Sequence, residues 1–308
     1  LFSQPDSAFY FAQLQYDLAV SSNYKKWMAD ALNTQGVSFA IKGNYEDALT
    51  YLIKSLKIKE RIGNKKVIAD SYNNIGTIYF NQGNYEEALI YFKKTLKKSK
   101  EIGNKKVIAV SLNNIGTIYL EQSDLAKAID YHTRSLKIRE EIGDKQGIAV
   151  SLNNIGIINK IQGNYEDALE YYLKSIKTYK ELGDKNGIAS SLGNIGLTYQ
   201  NLGKNKEALT YFKDALIISK DINLLNLTNN YSKALYLPYR TSLRRRRPRK
   251  FPRRSEWSPL RYATRQSTAT LFQPPPRNDR STGADWYMYG SAVTFSSGLL
   301  HHSQTFPD

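Results

Sequence analysis

The chain has 308 residues, with 44 Lys and Arg against 28 Asp and Glu, and no Cys. The missing Cys excludes a disulfide framework, a thiolate metal site and a Cys nucleophile, and no apolar stretch approaches the ~18 residues of a membrane-spanning helix. The net charge of +16 is unevenly placed, since residues 1–237 hold +7 and residues 238–308 hold +9, so the two parts need separate readings.

Residues 5–20 read as a helix, the second half of a unit that recurs along the chain. Five units follow, at about 25–62, 65–102, 105–142, 145–182 and 185–222. Gly36, Gly76, Gly116, Gly156 and Gly196 share one register, as do Ala48, Ala88, Ala128, Ala168 and Ala208, and Tyr51, Tyr91, Tyr131, Tyr171 and Tyr211. Each unit reads as two helices. In the second unit Asn64 caps a helix running to about Gln82, and Gly83 supplies a left-handed stop. Asn84 caps the next helix, with Glu87 three residues on in a capping-box pattern. Asn44 with Asp47 and Asn164 with Asp167 repeat that pattern, whereas Lys127 breaks it after Asp124. Gly76 and Ala88 let two backbones approach, and Ile75, Tyr79, Leu89, Phe92 and Leu96 fill the space around them. No unit can bury its apolar face alone, so stacked units build one continuous core. The reading is all-α: a solenoid of stacked helix-turn-helix units. A partial helix is expected at 224–237, a first helix without its second. With a start at Leu1 rather than Met, the chain is read as a fragment or a processed form.

These residues resemble the tetratricopeptide repeat family: Gly, then Tyr three residues on, then the Gly-Asn-Tyr turn, then Ala and an aromatic. The 40-residue period exceeds the usual period of about 34 and is similar to the long repeats of kinesin light chains, Pins/LGN adaptors and bacterial sensory proteins. The resemblance covers roughly residues 5–237 and implies a right-handed superhelical solenoid. Asn159 departs from the family Tyr, His132 from the core aromatic, Ser123 from the turn Gly, and Lys204-Asn205 from Asn-Tyr.

Chemistry of other kinds finds little footing. His occurs at 132, 301 and 302, without carboxylate spacing for a metal. No Walker loop or dinucleotide glycine pattern appears. The pairs Glu46-Asp47, Glu86-Glu87 and Glu166-Asp167 sit in helix first turns, where they favour the positive dipole end. No catalytic residue, cofactor or metal is expected, and the chain is not read as an enzyme.

The expected function is a protein-interaction scaffold. The resemblance implies a concave groove lined by the first helix of each unit. There Asn33, Asn73, Asn74, Asn113, Asn114, Asn153, Asn154 and Asn194 offer donors and acceptors to a peptide backbone; the competing reading is that one Asn of each pair serves the fold. The positions of the family's carboxylate clamp hold Asn, Asp70, Val110, Val150 and Thr77, which disfavours a clamp. Ile157, Ile161 and Leu197 favour a partner with apolar anchors. The alternative is the sensory region of a bacterial signalling protein that also carries a kinase, cyclase or DNA-binding domain. Lys93-Lys94 and Lys97-Lys98 read as a solvated face. Either a cytoplasmic or a periplasmic setting is compatible.

At Pro238 the pattern stops. Residues 1–237 use 28 Lys and 3 Arg, whereas residues 238–308 use 1 Lys and 12 Arg and hold eight of the nine prolines. Such a segment is expected to be disordered. Three readings stand side by side: a linker, a basic arm for phosphate backbones, and a segment joined by a frame shift. Nucleic acid enters as a partner only through this tail.

Overall fold

Two local signals cut the chain into helices, one starting each and one stopping it. A computed structural model describes residues 5–222; the helix expected at 224–237 and the tail lie outside the described residues. Among those described there are eleven helices and no strand. They are α1 (Pro5–Ser21), α2 (Lys25–Ile41), α3 (Tyr45–Ile62), α4 (Lys65–Asn81), α5 (Tyr85–Glu101), α6 (Lys105–Glu121), α7 (Leu125–Glu141), α8 (Lys145–Gln162), α9 (Tyr165–Leu182), α10 (Lys185–Asn201) and α11 (Asn205–Asp221). Side-chain caps start seven of them. Asn44, Asn64, Asn84, Asn104, Asp124, Asp144 and Asp184 each accept from a backbone N–H in the first turn, an arrangement worth about 1 kcal/mol apiece.

Two of the sequence expectations change here. Asn164 makes no side-chain cap bond, so the box expected with Asp167 is not closed. At α7 the loss of an acid is compensated: Lys127 donates to Asp124 Oδ2 at 2.6 Å while its backbone N–H takes the cap bond. The stops are the turn glycines, such as Gly83 at φ 75°. Ser123 holds the same left-handed conformation at φ 61°, where a Cβ is strained.

Within each unit the decisive contact is a ring against a glycine. A Cβ on Gly76 would lie 2.8 Å from the Phe92 ring, on Gly156 2.7 Å from Tyr172, on Gly196 2.7 Å from Phe212, and on Gly116 3.0 Å from His132. Gly36 meets Leu52 in the same way at 2.8 Å and the Ala48 carbonyl at 3.0 Å. The glycine thus receives a side chain of the second helix, and the neighbouring Ala keeps the crossing close. Serine hydroxyls tie the pair further: Ser55 donates to the Ala29 carbonyl, Ser135 to Ala109 and Ser175 to Ala149. The closest packing is accordingly between α2 and α3, α4 and α5, α6 and α7, α8 and α9, and α10 and α11.

Between units a second complementarity operates. Arg139 and Tyr179 end their helices with large buried side chains, and each faces a glycine early in the next helix. A Cβ on Gly147 would lie 2.6 Å from Arg139, and one on Gly187 2.4 Å from Tyr179. In the units where Lys59 and Ser99 hold that position, the facing residues are Val67 and Val107. Outside, ion pairs repeat in register: Lys65 with Glu101, Lys105 with Glu141, Lys145 with Glu181 and Lys185 with Asp221. They are exposed and screened by solvent, so each contributes little. The apolar core runs through the array as a series of local clusters. At one end α1 packs on α2, with Phe9 edge-on to Phe39 at 5.2 Å.

Replacing Ser123 by Gly removes a left-handed strain of about 1 kcal/mol. Thermal unfolding of Ser123→Gly should show a raised Tm; an unchanged or lowered Tm would mean that the hydroxyl or Cβ stabilises the turn.

Candidate partner-binding surface

The eight asparagines singled out from the sequence come together, and chiefly with one another. Asn74 Nδ2 donates to Asn33 Oδ1 at 3.4 Å, Asn114 to Asn73 at 3.1 Å, Asn154 to Asn113 at 3.2 Å and Asn194 to Asn153 at 3.1 Å. The second Asn of each unit is always the donor, and the first Asn of the preceding unit the acceptor. Where the ladder starts, Thr34 stands in place of a second Asn; where it stops, Gly193 stands in place of a first. The first repeat therefore contributes only an acceptor, Asn33, and the last only a donor, Asn194. All but Asn194 are buried. These carboxamides lie in the seam between successive first helices, a position where an unmade hydrogen bond is costly.

The ladder leaves two acceptors unused. Asn114 Oδ1 and Asn154 Oδ1 are buried and have no hydrogen-bond partner, against the general rule that such atoms are satisfied. One turn earlier on the same helix faces lie Val110 and Val150, both half-buried, at the position that Asp30 and Asp70 hold in the first two units. Of the three apolar groove residues expected from the sequence, Ile161 is exposed, Leu197 half-buried and Ile157 fully buried in the core. Lys160 is buried where the other units place Ala40, Phe80, Leu120 and Gln200, and desolvation lowers its pKa to about 8.

His132 belongs to the core rather than to this surface. It is fully buried, and neither ring nitrogen has a partner. Burial, followed by the positive charge of Arg139, holds its pKa down at about 3. Arg139 is itself buried; it donates to the Gly147 carbonyl at 2.6 Å and to Ser151 Oγ at 2.9 Å, and desolvation lowers its pKa to about 10. Sequence reading missed both Arg139 and Lys160 as buried cations. The available signal for the first was Gly147, which replaces the Val67 and Val107 of earlier units. Among the described residues no group of three metal-ligating side chains occurs, and no helix is long and apolar enough to cross a membrane.

A histidine whose folded pKa lies below its unfolded value loses stability as pH falls. The unfolded chain takes up the proton near pH 6.5 and the folded one only near 3, so stability declines through that window by about 1.4 kcal/mol per unit. His132→Phe places in this unit the ring that Phe92 and Phe212 provide elsewhere. Urea titrations should find it more stable, with the advantage widening from pH 7 to pH 4.5; a constant difference would show that His132 is not buried in its neutral form.

A sequence profile of the tetratricopeptide repeat matches residues 27–101, 67–141, 107–181 and 147–221. No curated protein sequence matches the chain. Among solved structures it is similar to BtubC (BKLC) from P. vanneervenii, with TM-score 0.62 and 16% identity over 85% of this chain and 100% of that one. It is also similar to aspartyl phosphate phosphatase F from Bacillus subtilis, with TM-score 0.64 and 17% identity over 74% of this chain and 62% of that one. A third similar structure is the Rap conjugation gene regulator of plasmid pLS20 in complex with the Phr* peptide, with TM-score 0.60 and 16% identity over 68% of this chain and 58% of that one. The chain spans less than two thirds of the latter two, and at these identities the likeness is one of fold. Repeat register, paired-helix packing and profile agree: the chain belongs to the tetratricopeptide repeat family.

Proposed function

We propose that this array is a scaffold that holds an extended peptide segment of a protein partner along the face carrying the asparagine ladder. The observation that carries the reading is the pair of unpartnered acceptors, Asn114 Oδ1 and Asn154 Oδ1, at equivalent places in adjacent repeats. A peptide backbone presents N–H donors along its length, and a small opening of the seam brings two of them to these oxygens. Asn33, Asn73, Asn113 and Asn153 then act from behind, fixing the carboxamides by accepting from them. Val110, Val150 and Ile161 supply apolar contacts, so the partner segment carries apolar anchors. A stacked-repeat solenoid presents a surface of this kind along its inner side.

A second reading rests on the Rap regulator, whose structure is in complex with a peptide. On that reading the array is the peptide-sensing region of a signalling protein. The two readings share the groove and differ in what the array controls.

The test is selection of binders from a random 12-residue peptide library on the 308-residue chain, followed by affinity measurement on Val110→Glu/Val150→Glu. Acidic residues are tolerated at this position, as Asp30 and Asp70 show, so the variant should melt like the parent. Selected peptides should carry apolar residues and bind the variant at least tenfold more weakly. Failure to enrich any peptide, or equal affinity for the two chains, would overturn the proposal.

A further inference from the structure

The outer face of the second helices carries two columns of cations. Lys54, Lys94, Arg134 and Lys174 form one, and Lys57, Lys97, Lys137 and Lys177 the other, and all eight are exposed. Within a helix the two columns stand three residues apart and so adjoin. Across repeats they keep one register, as the ion pairs and the asparagine ladder do. The fifth repeat ends both, with Asp214 and Ile217 in the corresponding places.

Most other repeated charges on this array have a structural task. Acids such as Glu86 and Glu87 stand in the first turn, at the positive end of the helix dipole. Lys65, Lys105, Lys145 and Lys185 each hold an acid near the end of the second helix of the same repeat. In the first cation column, Arg134 bonds Asp130 and Lys174 bonds Glu170, and all four members lie over a tyrosine ring one turn back. The second column differs: Lys57, Lys97, Lys137 and Lys177 enter no ion pair among the described residues. These four register-locked, exposed ammonium groups, of which Lys177 lies near enough to Glu181 to help lower that acid's pKa, make a row of positive charge for a chain of negative ones.

We infer that the column Lys57–Lys97–Lys137–Lys177 is a second interaction surface, separate from the asparagine face, and that its partner is an extended acidic polypeptide segment. Charge density and chemistry both favour a polypeptide over nucleic acid. The lysines recur once per repeat, on α3, α5, α7 and α9, so an extended chain with spaced acidic side chains can offer one to each. A nucleic-acid strand places a charge about every 3.4 Å, far denser than one lysine per repeat. Single-stranded nucleic acid also needs aromatic faces on which bases stack. Here the tyrosines at the edge of the face are occupied: Tyr91 stacks on Tyr79 and Tyr131 on Tyr119, with Lys94 and Arg134 over the other side.

The test compares the 308-residue chain with its Lys57→Glu/Lys97→Glu/Lys137→Glu/Lys177→Glu variant. Both keep residues 238–308, so binding by the arginines there is common to the two and cancels. The probes are a fluorescent 12-residue peptide with Glu at every third position and a 12-nucleotide single-stranded DNA, each followed by anisotropy at about 50 and 200 mM salt. Circular dichroism melting establishes that the variant remains folded; single charge reversals serve if the quadruple variant does not. The peptide should bind the variant at least tenfold more weakly, and its binding to the parent should weaken with salt. Equal affinity of parent and variant for the peptide would overturn the inference. So would a larger loss for the DNA than for the peptide, which would assign the column to nucleic acid.

Discussion

The glycine that receives a ring is the constraint on which the rest of this molecule depends. Gly76 against Phe92, Gly156 against Tyr172 and Gly196 against Phe212 leave no room for even a methyl group. That contact fixes how closely the two helices of a repeat cross, and with it the orientation of each repeat toward the next. A larger residue would push the helices apart and spoil the dense packing on which core energetics rely. The third full repeat keeps the geometry with His132 in place of the ring, at the cost of two unpartnered nitrogens.

Once the repeats are set, the asparagine ladder joins them. Its bonds cross from one repeat to the next between groups in adjacent positions of the pair, so the donor of one repeat always lies beside the acceptor of the preceding one. A neutral polar seam suits this place, because an inner repeat offers one donor and one acceptor, and these meet their counterparts in only one register. An apolar seam would tolerate sliding. On the proposed function a structural and a recognition role share a residue, since the amide nitrogens of Asn114 and Asn154 are used in the ladder and their oxygens are left.

Much of this was legible in the sequence, because its signals are local and repeated. Caps, turn glycines and the Gly–aromatic spacing depend on neighbours within one helix pair, and Asn84, Gly83 and Phe92 announce them directly. The exception among the Asn caps, Asn164, has the same residue type as Asn44 and Asn84 and differs only in the bond it makes. The asparagines were legible as a conserved internal column but not as a ladder. Which Asn donates depends on the offset between repeats, a quantity that one repeat read alone does not contain. Buried cations were hidden for a similar reason. Arg139 reads as an exposed end-of-helix arginine until the next repeat, with its small Gly147, is laid against it. Tyr179 and Gly187 repeat that exchange one unit later.

The central claim is that these asparagines bind one another across repeats. A double-mutant cycle on Asn113→Ala and Asn154→Ala tests it, with stability measured for the parent, both single variants and the pair. The hydrogen bond from Asn154 Nδ2 to Asn113 Oδ1 predicts a coupling of about 0.5–1.5 kcal/mol, the net worth of a buried hydrogen bond. Strictly additive losses would show that the two side chains do not interact, and would contradict the account of how the repeats are joined.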